Sequence, residues 1–141
     1  MKKAMIAIII LFVAFIVAVP PINDLLAKNV EKGLLEIALP ENTQMVESVS
    51  KAGKLVGNGN GMQYFGAILI KSKQTLEELS AYYADVNADI VVKMQTTQVI
   101  ACLEHAQLSF TAQITEEENY YIVYLFGEGI APFSQLDLRG H

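Results

Sequence analysis

The segment that most constrains this chain is "AMIAIIILFVAFIVAV", residues 4–19, which contains no polar side chain. It follows Lys2 and Lys3 and ends at Pro20-Pro21. A basic start, an apolar run and a break are shared by cleaved signal peptides and uncleaved signal anchors. A helix over this run extends about 24 Å, short of the ~30 Å hydrocarbon core. Snorkelling of the lysines, local thinning of the bilayer and Ile22 could close that gap.

The cleavage signal is weak. No A-x-A pattern precedes the prolines, and Ala18 is the best small-residue position. We therefore predict a signal anchor or transmembrane segment at residues 1–21 and an extracytoplasmic domain at residues 22–141. The alternative is a protein secreted after the signal peptide is cleaved.

Charge orients the segment and restricts its partners. The positive-inside rule places Lys2 and Lys3 in the cytoplasm and the rest of the chain outside. Beyond Val19 there are eight Lys and Arg against fifteen Asp and Glu. So acidic a domain is repelled by nucleic acid, which we exclude as a partner. The predicted localisation is the cell membrane, single-pass, with residues 4–19 in the lipid bilayer.

Two helices are predicted. The first covers residues 23–35, with Asn23 or Asp24 as its cap and apolar residues at helical spacing. These apolar residues are Ile22, Leu25, Leu26, Val30 and Leu34. The second covers residues 75–86, where Thr75 and Glu78 form a capping box. Its apolar face repeats every three or four residues. That face comprises Leu76, Leu79, Tyr83 and Val86.

The remaining segments favour strands. Residues 45–56 and 62–70 form a predicted hairpin, and residues 107–114 and 119–126 alternate apolar and polar side chains as strands do. Residues 90–104 are ambiguous between one strand and two. The predicted fold class is α+β, with an N-terminal transmembrane helix and a small antiparallel sheet. Along the chain, a hairpin is followed by a helix and then by a meander of about three strands. The helices are expected on one face of the sheet.

The glycines of "GNGNG", residues 57–61, raise the question of a phosphate-binding loop. A dinucleotide fingerprint requires a strand, then glycines, then a helix whose N-terminus holds the pyrophosphate. Here a predicted strand follows, and Asn-Gly pairs suit the positive φ angles of hairpin turns. We therefore predict a tight hairpin turn, with strain if Gly59 or Gly61 is replaced by a β-branched residue.

Catalytic groups are sparse. Glu104 and His105 lie together at a predicted turn, where a solvated pair is favoured over a general base. Cys102, the single cysteine, lies among apolar residues, which favours a buried and unreactive thiol. The acidic run at residues 116–118 lacks the spacing of a calcium loop. We predict no catalytic residue, no metal site and no cofactor.

The C-terminal stretch "FGEGIAPFSQLDLRGH" is the strongest candidate for contact with a partner or ligand. The candidate residues are Glu128, Phe133, Asp137, Arg139 and His141. The favoured interpretation, however, is a tail that closes over the sheet, with Arg139 paired to a carboxylate.

Four stretches carry a resemblance to a known group of proteins. They are "LPENTQMVES", "GKLVGNGNGMQYFGAILIKS", "LEELSAYY" and "FGEGIAPFSQLDLRGH". Together they resemble a family of small single-pass membrane-anchored proteins of uncharacterised function from Gram-positive anaerobes. The resemblance implies a domain outside the membrane, and it implies no activity, cofactor or catalytic residue.

Two functional hypotheses follow from the sequence. The favoured one is a membrane-tethered extracytoplasmic binding or accessory domain without catalysis, whose protein or envelope partner is unknown. The alternative is a cell-envelope hydrolase that uses Glu104 and His105 or the carboxylates of the C-terminal stretch. Convergence of His105, Glu128, Asp137 and His141 in one pocket would favour the hydrolase.

Overall fold

A four-stranded antiparallel sheet carries both helices on one of its faces. The structure is a computed structural model and describes residues 2–127, 131 and 133–141. Its helices and strands are α1 (Lys2–Leu35), β1 (Thr43–Gly53), β2 (Gln63–Ser72), α2 (Leu76–Val86), β3 (Val91–Met94) and β4 (Tyr120–Gly127). The strands are ordered β1-β2-β4-β3, and every neighbouring pair is antiparallel. The predicted α+β architecture with an N-terminal apolar helix is confirmed.

Helix α1 continues through Pro20-Pro21, contrary to the predicted break. The two prolines lack N–H groups, so the carbonyls of Ile16 and Val17 lose their usual helical partners. The helix nevertheless runs on, because its following turns are held on the sheet, where Asn23 accepts from Tyr64 and Ala27 packs beside Ala52 and Tyr64. Asn23 and Asp24 therefore lie inside a helix and do not cap one. The predicted boundary at residue 21 falls within this single helix.

The buried stripe of α1 differs from the predicted one. It repeats every three or four residues and contains two polar side chains. Its members are Val19, Asn23, Ala27, Glu31 and Leu34. Ile22 and Leu25, which the helical spacing grouped on one face with Leu34, are 49% and 60% exposed. Burial of Asn23 and Glu31 is tolerated because each is hydrogen-bonded to the sheet domain.

The backbone of α1 lies directly against the sheet at Gly66 of β2. A Cβ atom at this position would come within 2.8 Å of the Cα atom of Glu31. The buried carboxylate of Glu31 accepts hydrogen bonds of 2.6 Å from the hydroxyls of both Ser48 and Ser50 on β1. Glycine is therefore required under the helix, and Glu31 ties the same turn of α1 to the edge strand.

Helix α2 begins as the sequence predicts. Thr75 accepts from the backbone N–H of Glu78, whose carboxylate accepts in turn from the N–H of Thr75. Leu79 and Tyr83 are fully buried between α2 and the sheet, next to Leu34 of α1. Val86, predicted on the same face, is 53% exposed because the helix ends there.

The opposite face of the sheet is covered by residues 95–119, which form no extended strand. The prediction of a strand at 107–114 is wrong, although its apolar side chains do point inward and Phe110 is buried. The reason lies in the hydrogen bonds. The N–H groups of Thr111 and Ala112 donate to the carboxylate of Glu47, at 2.8 Å each, instead of to a neighbouring strand. The stretch 90–104, which was ambiguous between one strand and two, contains one extended strand, β3.

The contact at Gly66 generates a stability prediction. Gly66→Ala should lower the free energy of unfolding by roughly 1–3 kcal/mol, because the added methyl group meets helix backbone that cannot move aside as a side chain could. Gly33→Ala is the matched control, since nothing lies within 4 Å of a Cβ there. Alanine should stabilise that exposed helical position by up to about 1 kcal/mol.

Urea titration of the full-length protein in detergent, followed by tyrosine fluorescence, measures both variants. Equal stabilities for Gly66→Ala and the wild-type chain would contradict the close packing of α1 on β2.

Candidate functional site

The glycine loop and the C-terminal segment meet and form a groove. The glycine loop is residues 54–62, and the C-terminal segment is residues 133–141 with its two short 3₁₀ turns, Ser134–Leu136 and Leu138–Gly140. The N–H of Gly61 donates to the carbonyl of Gly140, and the N–H of Lys54 donates to the carbonyl of Arg139, at 2.7 Å each. The groove has a volume of about 680 Å³. It is lined by Val56, residues 59–63, residues 134–136, Gly140 and His141.

The glycine loop is wider than the predicted tight turn. It joins the last pair of the β1–β2 ladder, Gly53 and Gln63, and strand β2 follows it, as predicted. Gly57 and Gly61 have φ angles of 74° and 139°, which only glycine adopts freely. The prediction of strain on substitution at Gly59 is wrong. The backbone of Gly59 is not left-handed, and nothing lies within 4 Å of a Cβ atom there.

Glu104 and His105 hold the start of this loop. The carboxylate of Glu104 accepts from the N–H of Gly57 at 2.9 Å, and the Nε2 of His105 donates to the carbonyl of Gly57 at 2.7 Å. The backbone N–H groups of both residues donate to the carbonyl of Leu55. The pair that the sequence offered as an acid–base couple is thus bound to backbone.

The predicted site residues do not meet in one pocket. His141 lines the groove, and its Nε2 donates to the carbonyl of Gln135 at 3.0 Å. His105 and Asp137 are not among the lining residues. Glu128 lies outside the described residues. Among the described residues, His105, Asp137 and His141 therefore do not converge in one pocket, as the hydrolase hypothesis would require.

Asp137 is the electrostatic centre of the C-terminal segment. Its carboxylate is 1% exposed and accepts from Nε and Nη2 of Arg139, at 3.0 and 2.8 Å. It also accepts from the side-chain amide of Asn23 at 2.8 Å. The Arg139 guanidinium, helped by Asn23, lowers the pKa of Asp137 to about 2, although burial acts in the opposite direction.

Arg139 joins this centre to α1. Its Nη1 donates to the carboxylate of Asp24 at 2.8 Å, and its Nη2 donates to the carbonyl of Pro20 at 3.0 Å. The hydrogen bonds that Arg139 donates to the carboxylates of Asp137 and Asp24 raise the pKa of Arg139. The predicted pairing of Arg139 with a carboxylate is confirmed.

The sequence did not reveal the partners of this network on α1 and β2. Asn23 and Asp24 read as cap residues, because two prolines before them suggested a helix start. Tyr64 of β2, whose hydroxyl donates to Asn23 at 2.9 Å, read only as a strand residue. The one signal of a tertiary partner is a polar side chain, Asn23, on the buried face of a helix. It can be recognised only once α1 is known to be continuous.

Phe133 occupies a different environment from the other candidates. It is 59% exposed, and its ring packs edge-on against Phe15 of α1, with ring centroids 4.8 Å apart. It therefore belongs to the contact between the C-terminal segment and the apolar part of α1.

Cys102 is half-buried, not fully buried as predicted. It packs partly against the core on the sheet face opposite the helices, and burial raises its pKa. Within the described ranges, no three His, Cys, Asp or Glu side chains are grouped in a way that could hold a metal ion.

The lining of the groove is suited to binding a ligand. It combines amide and imidazole groups of Asn60, Gln135 and His141 with the apolar side chains of Met62 and Leu136. Such a mixed lining suits a peptide segment or a small polar ligand.

The Asp137 network predicts how stability depends on pH. A folded-state pKa of about 2, below the ordinary 3.8, means that the fold stabilises the charged carboxylate. That stabilisation is fully present above about pH 4 and is lost as the pH falls toward 2. Asp137→Asn should lower the free energy of unfolding by roughly 1–3 kcal/mol at pH 7. It should also flatten the acid dependence between pH 4 and 2.

Urea titrations of the full-length protein at pH 7, 4 and 3 test this expectation. Asp85→Asn, at an exposed aspartate of α2, is the control and should follow the wild-type chain at each pH. An Asp137→Asn variant as stable as that control would contradict the role of the network.

Comparison of this chain with protein-family models, with curated proteins and with solved structures finds no match. The resemblance to single-pass proteins of Gram-positive anaerobes stays a prediction.

Proposed function

We propose that this protein is a membrane-tethered extracytoplasmic domain that binds a partner in the cell envelope without catalysing a reaction. The observation that carries the proposal is helix α1, whose first part is apolar and exposed and whose second part is packed on the sheet. A single rigid element of this kind would hold the domain directly at the membrane surface.

The length of α1 supports a membrane span. It is long and apolar enough to cross a bilayer. Because the helix does not stop at the prolines, its exposed apolar surface continues to Ile22. From Ala4 to Ile22 the helix is about 28 Å long, close to the ~30 Å hydrocarbon core. The shortfall predicted for residues 4–19 alone is thereby reduced.

The surroundings of the predicted cleavage region support an uncleaved anchor. Val19 is buried, the carbonyl of Pro20 accepts from Arg139, and Phe15 packs against Phe133. Cleavage here would remove contacts that the folded domain uses. The lysines before the apolar run favour the outward orientation of the domain.

The non-catalytic assignment rests on what the candidate groups are already bound to. Glu104 and His105 are bound to the backbone of Gly57, and Asp137 is neutralised by Arg139. The groove, by contrast, offers its polar and apolar side chains at the end of the domain where Arg139 meets Pro20, close to the membrane exit of α1. A partner held at the same membrane would meet it at raised local concentration.

Cysteine labelling in intact cells tests the anchor and its orientation. In a Cys102→Ser background, Glu77→Cys on α2 should react with a membrane-impermeant maleimide. Lys3→Cys, the matched control, should react only after permeabilisation. Labelling of Lys3→Cys in intact cells would contradict the orientation, and a soluble form starting near Val19 would contradict the anchor.

Photo-crosslinking in the native membrane tests the binding role. A benzoylphenylalanine at the exposed Gln135 of the groove should give a discrete crosslinked product. The same residue at Glu77, an exposed position of α2, should not. Identical patterns at the two positions, or no product at either, would contradict a binding role for the groove.

A further inference from the structure

The C-terminal segment exposes two large apolar side chains outside the groove. Phe133 and Leu138, here called the apolar turn, are 59% and 86% exposed. They lie within six residues, beside the buried Ser134 and Asp137. The segment is thus anchored by its polar side chains and turns its apolar ones outward, the reverse of ordinary burial.

The position of the apolar turn follows from its contacts with α1. Arg139 binds Asp24 and the carbonyl of Pro20, whereas Phe133 contacts Phe15. Phe15 precedes Asp24 by nine residues of continuous helix, which is about 13 Å along the axis. The C-terminal segment therefore runs along α1 from the charged Asp24 level down into the apolar stretch.

The backbone of Phe133 is held in an unusual conformation. Its φ angle is 63°, in the left-handed region that bulky residues rarely adopt. This conformation places the ring against Phe15 instead of in the core of the sheet. Strain of this kind persists only where surrounding contacts maintain it. Here the ring of Phe133 packs on Phe15, and the carbonyl of Phe133 accepts from the N–H of Leu136 at 2.9 Å.

We propose that the apolar turn is a membrane-docking element that inserts into the outer leaflet of the bilayer crossed by α1. The inference rests on the proposed membrane anchor. Its occupant is lipid because Phe133 contacts a residue of the apolar run itself, at a depth where no water-filled surface is available if α1 spans. Arg139 and Asp24 then lie at the level of the head groups, where charged side chains are stable.

Docking would fix the tilt of the domain as well as its distance from the membrane. A single helix leaves a domain free to rotate about the helix axis and to tilt with it. A second apolar contact beside the helix restricts both motions and orients the groove toward the membrane surface. Because the domain is acidic, this contact depends on apolar burial and not on attraction to anionic lipid.

Tryptophan fluorescence tests the proposal, since the chain contains no native tryptophan. Single variants of the full-length protein are placed in nanodiscs whose lipids carry bromine on their acyl chains, which quenches nearby tryptophan. Phe15→Trp reports on the anchor, and Phe133→Trp on the apolar turn. Leu138→Trp, at a fully accessible position, is a second probe that should not disturb folding. Leu35→Trp, exposed on the same helix about 22 Å beyond Pro20, is the control.

We expect at least twofold quenching of Phe15→Trp and Phe133→Trp, weaker quenching of Leu138→Trp and none of Leu35→Trp. Quenching of Phe15→Trp with none of Phe133→Trp and Leu138→Trp would overturn the docking proposal and leave the anchor standing. That outcome would assign the apolar turn to a protein partner. Absence of quenching at Phe15→Trp would overturn the anchor, and the docking proposal with it.

Discussion

The fold depends on the close approach of α1 to the sheet at Gly66. Only a residue without a side chain lets the helix backbone lie against β2, and Glu31 then reaches Ser48 and Ser50 on the edge strand. This contact places one half of a 34-residue helix in the domain and leaves the other half outside it. The apolar segment is therefore joined to the folded domain by continuous helix instead of by a flexible linker.

A second set of contacts closes the domain at the point where α1 leaves it. Asp137 accepts hydrogen bonds from Arg139 and Asn23, and Arg139 reaches Asp24. Buried charge is costly unless it is paired and hydrogen-bonded, and here each buried group has partners on two elements. The network connects residues 137–139 to the middle of α1, so loss of either side would leave buried polar groups of the other without their partners.

The two faces of the sheet are covered by different kinds of structure. This explains why the strand predicted at residues 107–114 is absent. Helices α1 and α2 cover one face, whereas residues 95–119 cover the other without forming a helix or an extended strand. Their backbone groups are satisfied by side chains such as Glu47. The alternation of Leu108, Phe110, Ala112 and Ile114 correctly predicted which side chains face inward. It could not predict whether a neighbouring strand was present to pair with.

The sequence by itself determined the elements with local causes. The capping box of Thr75 and Glu78, the strand propensity of β2 and β4 and the apolar run at residues 4–19 all depend on neighbours within a few residues. Tertiary structure decided what depends on distant partners. Helix α1 continues past Pro20-Pro21 because the sheet supports its following turns, and Asn23 becomes a buried hydrogen-bonding residue because Asp137 lies beside it. The groove likewise exists only because two segments more than 70 residues apart meet through backbone hydrogen bonds, which no local pattern records.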